Sequence, residues 1–229
     1  MEPQVNTSQY SIVVVGAMNP AIHHPHRYGP LTLLSADEVQ HALRGGALVV
    51  VPQVAQFHAA RLQIQCTPAN WQINTSDQQQ RGRIVDIAAM TFQRLGETPI
   101  SAYGLNARFE VTTGSQHAIQ VLGAQFSNGP VDLSFQGSLP DFESLAISYG
   151  MPHIAMEGQP DVQRQLKCSI GRSTHARDAI VVAFNMHHAI TMSPEFSRFD
   201  LDRLLLASTV AFEMEDALLR RILDVLTKE

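Results

Sequence analysis

Leu105-Asn-Ala-Arg-Phe-Glu-Val-Thr112 has the period of a half-buried strand, with Leu105, Ala107, Phe109 and Val111 alternating with Asn106, Arg108, Glu110 and Thr112. Successive side chains of a strand point to opposite faces, so one face of this segment belongs to a core and the other is wet. The same alternation recurs on both sides of it. Upstream, Leu62, Ile64 and Cys66 alternate with Gln63 and Gln65, and Trp71 and Ile73 continue the pattern after a turn at Pro68. Downstream, Leu145, Ile147 and Tyr149 form one such row. Leu166, Cys168 and Ile170 form a second, and Ile180, Val182, Phe184, Met186, His188 and Ile190 a third. Short β-branched runs at Ile12–Val15, ending at Gly16, and at Leu48–Val51 add two more strands.

Helical signals fall between these strands. Ser35-Ala-Asp-Glu38 has the spacing of a capping box and starts a short helix that Gly45-Gly46 stops. Ser76 is placed to cap a helix over 76–95, whose stripe is Ile84, Ile87, Ala88, Thr91 and Leu95, with Gly96 and Pro99 closing it. Another helix, capped by Ser115, is expected to run to about Phe126. A loop follows from Ser127 to Pro140, with a short strand at Val131–Phe135. The last helix begins at Asp200 and runs to about Leu226, Phe199 stapling against Leu204. The expected fold is therefore a single α+β domain over residues 1–229, with antiparallel sheet packed on the helices at 76–95 and 200–226. Segments 47–96 and 143–226 both read as a few antiparallel strands followed by a long helix, that is, as two related β-β-β-α halves.

The composition narrows the classes of function. The 229 residues are 45 % hydrophobic and 16 % charged, and a chain of this length buries roughly 70 to 75 % of its unfolded surface without staples. Sixteen Lys and Arg against 21 Asp and Glu leave a net charge of -5, which gives no overall field for a phosphate backbone, so general nucleic-acid binding is not expected. The two cysteines, Cys66 and Cys168, stand at apolar-phase strand positions and read as buried free thiols. Met1–Tyr10 is polar, without the pattern of a signal peptide, and no run approaches the length of a membrane span. The expectation is a cytoplasmic protein with no membrane partner.

Three short motifs carry a resemblance. Tyr103-Gly-Leu-Asn-Ala-Arg-Phe-Glu110, Cys168-Ser-Ile-Gly-Arg-Ser173 and Asn185-Met-His-His188 together resemble a sporadically distributed family of uncharacterised bacterial proteins, over about residues 50 to 190. The resemblance implies an α+β fold and carries no activity, cofactor or catalytic residue.

His23, His24 and His26 share a loop and His187 and His188 end a strand; brought together, their imidazoles could hold a metal for a hydrolase or nuclease. The spacing opposes it, because adjacent histidines on an extended chain point to opposite sides and no carboxylate accompanies them at a known interval. No Gly-x-Ser-x-Gly and no phosphate-cradling glycine loop is present, so no catalytic residue is assigned and no cofactor is expected. Asn106 and Arg108 share one strand face, and Arg172 and Asn185 come from later strands. Pooled on one sheet face, such side chains could recognise a carboxylate, a phosphate or an acidic partner, although cross-strand pairing with Glu or Asp would give the same pattern.

On the last helix, Leu204, Ala207, Ala211, Met214, Leu218, Ile222 and Val225 make one apolar stripe, and Leu205, Phe212, Leu219 and Leu226 make a second row about 100° further round. That second row is either clasped by sheet and loops or exposed as an interface for a protein partner or a homo-oligomer. The reading reached is a non-catalytic binding or assembly protein acting through protein–protein contacts. Its alternatives are the histidine-metal enzyme and a small-molecule binder with a cavity under the C-terminal helix.

Overall fold

A computed structural model describes residues 2–31, 33–114, 122, 144–151, 162–190 and 201–227. The strands are β1 (Gln4–Gly16), β2 (Val49–Val51), β3 (Val54–Ala59), β4 (Leu62–Cys66), β5 (Asn70–Thr75), β6 (Ile100–Thr112), β7 (Ser144–Met151), β8 (Val162–Arg172) and β9 (Ala179–Ile190). The helices are α1 (Pro25–Tyr28), α2 (Ala36–Arg44), α3 (Arg81–Arg94) and α4 (Leu201–Thr227). The described strands form one nine-stranded sheet in the order β2-β3-β4-β5-β1-β6-β9-β8-β7, and every neighbouring pair is antiparallel. The α+β architecture built on one large antiparallel sheet is thus the observed one.

Each half of the chain follows one path. A 13-residue strand comes first, then a meander whose last strand returns to pair with it (β5 on β1, β9 on β6), then a helix. The unit that recurs in this topology includes β1 and β6, ahead of the segments 47–96 and 143–226. The two halves meet where β1 pairs with β6 from Gln4↔Thr112 to Gly16↔Ile100. β1 reaches back to Gln4, well before Ile12, because this pairing recruits the polar start of the chain.

The alternation read from the sequence sets the two faces of the sheet. Tyr10, Ile12 and Val14 of β1, Phe57 of β3, Ile64 and Cys66 of β4, and Trp71 and Ile73 of β5 are buried on one face. The same face carries Leu105, Ala107 and Phe109 of β6, Leu166 and Cys168 of β8, and Val182, Phe184 and Met186 of β9. α3 packs there on β1 and β5, and α4 packs on α3, β6 and β9. Ser35 caps α2 in the expected box with Glu38, whose carboxylate also takes both terminal nitrogens of Arg83 at 2.6 Å, tying α2 to α3. α3 starts later than Ser76. A 3-10 turn over Gln78–Gln80, capped by Asp77, precedes it, and Gln80 at the helix start makes no side-chain cap. The helix expected from Ser115 lies outside the described residues apart from Leu122, which is helical and buried; the Val131–Phe135 strand and the Phe199–Asp200 start of the last helix lie outside them too.

Burial holds both thiols protonated, pushing Cys66 up to about 12 and Cys168 up to about 11. Replacing Cys168 by Ser puts a hydroxyl into the apolar layer between Leu166 and Ile170 and is expected to cost about 1 to 3 kcal/mol in urea unfolding, with Cys66→Ser behaving alike. Midpoints unchanged from wild type in both variants would contradict the assigned strand phase.

Candidate functional site

The face of the sheet opposite the helices is polar along its central rows, with Val13, Val15, Val49 and Val181 beyond them. In one row, in register, stand His58 of β3, Gln63 of β4, Asn74 of β5 and Ser11 of β1. The row continues through Asn106 of β6 and Asn185 of β9 to Lys167 of β8. The row beside it runs Gln9, Arg108, Ala183, Ser169, and the row on the other side opens Gln56, Gln65, Gln72. Each stands beside an apolar residue that the same strand sends into the core, and Asn74 is itself buried. A twisted sheet curves, and here two hollows lie side by side on this face. One, of about 490 Å³, is lined by Gln9, Ser11, Gln72, Asn74, Asn106, Arg108, Lys167, Ser169 and Asn185. The other, of about 500 Å³, shares Gln9, Asn74 and Arg108 with it and reaches His58, Arg61, Glu110 and His175.

Local hydrogen bonds pre-set part of this surface. Asn106 Nδ2 donates to Ser11 Oγ at 3.2 Å, and Gln72 Nε2 donates to Asn74 Oδ1 at 2.7 Å. Glu110 accepts from Ser173 Oγ. Arg108, Lys167 and Asn185 are exposed. Tyr10, Phe109 and Phe184 are buried on the other face, so the hollows offer amides, hydroxyls and cations in place of stacking surfaces.

The structure therefore brings together Asn106, Arg108 and Asn185 of the expected binding residues. It separates Arg172, which follows Leu166, Cys168 and Ile170 in the even phase and stands at the end of the core face, half-buried. The histidines are not gathered into one site. His23 is buried, with Nδ1 2.7 Å from Tyr28 Oη, while His24 and His26 stack on each other at 5.3 Å. His187 is exposed on the outer face, and His188, one residue on, is buried and stacks on Tyr103 at 4.4 Å. Among the described residues no group of three or more His, Cys, Asp or Glu side chains converges as a metal site.

The second row of the last helix is placed differently from an exposed interface. Leu226 is buried in its own chain, Phe212 and Leu219 are half-buried against the same core, and the side chain of Leu205 lies outside the described residues. The face of α4 that goes deepest carries Ala211, Glu215, Ile222 and Leu226, rotated from the stripe through Met214 and Leu218. Glu215 is 1 % exposed and is bonded to Arg81, the first residue of α3, which also reaches Asp216 at 2.9 Å. The Arg81 guanidinium lies 3.8 Å over the Phe212 ring and 4.9 Å over Tyr10. This cluster lies midway along α4, where that helix packs on α3. Sequence reading missed it because charged residues at core phase look like solvated ones. The available signal was an acid standing four residues after Ala211 and seven before Ile222.

No family model matches the chain, and no curated protein matches it. Among the described residues, no helix is long and apolar enough to cross a membrane.

Two buried groups give the stability of the fold opposing pH dependences. Burial outweighs the Arg81 guanidinium and pushes Glu215 up to about 7 from 4.5, so the folded state holds this proton more tightly than the unfolded chain. Its contribution is most favourable below 4.5 and declines as pH rises through about 7. Tyr28 Oη accepts from Trp71 Nε1 at 3.0 Å and shares a second hydrogen bond with His23 Nδ1; burial, with Arg27 nearby, lowers His23 to about 4 from 6.5. The His23 contribution is present above 6.5 and is lost as pH falls towards 4. Glu215→Gln removes only the first effect. Urea midpoints at a series of pH values are expected to show wild type losing ground to this variant between acid and mildly alkaline pH, by on the order of 1 to 3 kcal/mol. A wild-type-to-variant difference independent of pH would contradict the assignment.

Proposed function

We propose that this chain is a non-catalytic binding protein that receives a protein partner on its outer sheet face. The observation that carries the reading is the cross-strand row from His58 to Lys167, in which no apolar side chain interrupts the polar ones. Amide side chains both donate and accept, which suits them to the peptide groups and polar side chains of another polypeptide. A row of them held at strand spacing, about 4.8 Å, is ordered before a partner arrives, so less side-chain entropy is lost on binding. A nucleic acid fits less well. Arg108 and Lys167 are two cations where a backbone of phosphates wants many, and the aromatic residues that would stack on bases face the core.

Site-specific photo-crosslinking in cells tests this reading. A photoreactive amino acid at Asn185, exposed on the outer face, is expected to give one discrete crosslinked protein, identified by mass spectrometry. The same group at Glu213, exposed on α4, is expected to give none. Crosslinks from position 213 with none from position 185 would move the interface to the helical side and contradict the proposal.

A further inference from the structure

Resting on that outer-face reading, we infer that the occupant is an acidic, extended segment of the partner, with Arg108 and Lys167 each receiving one carboxylate. The chain carries 21 acidic residues against 16 basic ones, yet among the described residues no Asp or Glu lines the hollow that holds both cations. Other arginines are matched within the molecule: Arg61 with Asp77, Arg81 with Glu215 and Asp216, Arg83 with Glu38. Glu110, on the same face two residues beyond Arg108, lines only the neighbouring hollow, which Arg108 also borders, and is engaged by Ser173. The cationic charge of the first hollow is therefore offered outward, against the sign of the whole protein, and a guanidinium and an ammonium bind carboxylates through short charge-assisted hydrogen bonds.

The register fixes the spacing of the two anions. Arg108 pairs with Ala183 and Ala183 with Ser169, while Lys167 lies two residues from Ser169 on β8. Two strand spacings of about 4.8 Å and two residues of about 3.3 Å put the two Cα atoms about 12 Å apart. In an extended chain, side chains four residues apart lie on one side and about 13 Å apart, so the matching ligand carries Asp or Glu at positions i and i+4. Ala183 and Asn185 of β9 flank the line between the two cations, where the peptide groups of the intervening residues would cross.

Fluorescence anisotropy with the full chain and labelled ten-residue peptides tests this. The probe has Asp at two positions four apart in a Gly/Ser background; its counterpart has Asn at both. The Asp peptide is expected to bind about tenfold or more tightly, and added salt should erase the advantage. Arg108→Glu with Lys167→Glu, both exposed and so removable without disturbing the core, should abolish binding of the Asp peptide. Equal affinity for the two peptides, no binding of either, or an Asp affinity unaffected by charge reversal would overturn the inference, as would tighter binding of a DNA strand of matched length. If the charge-reversed protein still crosslinks to the same partner through position 185, the outer-face reading stands and only the acidic ligand fails.

Discussion

The pairing of β1 with β6 is the constraint on which the rest of the molecule depends. It joins two meanders that would otherwise be separate small sheets, and its register decides which side chains go to which face. With Tyr10 opposite Ala107 and Ile12 opposite Leu105 on the core side, Ser11 falls opposite Asn106 and Gln9 opposite Arg108 on the other. A slip of one residue would exchange the faces, driving Ser11 and Gln9 under the helices and Ile12 into water. The irregularities between Val5 and Thr7 and between Val15 and Gly16 bound the regular stretch. At the second of these a side chain on Gly16 would meet the carbonyl of Pro99 at 2.1 Å, so the close approach of the two strand ends requires glycine there.

The helical side is closed by a different interaction. Arg81 and Glu215 join the start of α3 to the middle of α4, and the guanidinium lies over the aromatic rings of Tyr10 and Phe212. Arg81 Nε and Glu215 Oε1 have no hydrogen-bond partner among the described residues, so the pair is desolvated without being fully satisfied. A buried ion pair of this kind adds little net stability against an apolar replacement, but removing one member leaves a buried charge and is costly. Its consequence here is positional: α4 is held in one rotation, with Ala211, Ile222 and Leu226 inward. The described helices pack on this one side, and the opposite face of the sheet keeps its polar rows.

Much of the fold could be read from alternation and capping. The core faces of β4, β6, β8 and β9, the Ser35–Glu38 box and the burial of both cysteines follow from local pattern. Gln4 to Gln9 did not read as strand because its side chains stand largely in water and carry no apolar rhythm; only pairing to β6 orders them. The start of α3 was misplaced because Ser76 is a good cap, yet Asp77 begins a 3-10 turn first. For the site, the wet phase of β6 identified Asn106 and Arg108. Their meeting with Asn185 and Lys167 depends on a register between strands far apart in sequence, which no local period encodes. Arg172 shows the reverse error: parity along β8 alone puts it with Cys168 and Ile170, away from Lys167 and Ser169.

As proposed, the outer sheet face, and not the helical side, is the binding surface. Side-chain amide NMR reads it directly, because the NH₂ groups of Asn106, Asn185, Gln9 and Gln72 sit on that face and report a ligand without mutation. On addition of the crosslinked partner, or of its contacting segment, these resonances are expected to shift together, while the backbone amides of Glu213 and Leu218 on α4 stay in place. Shifts confined to α4, with the four side-chain amides unmoved, would contradict it.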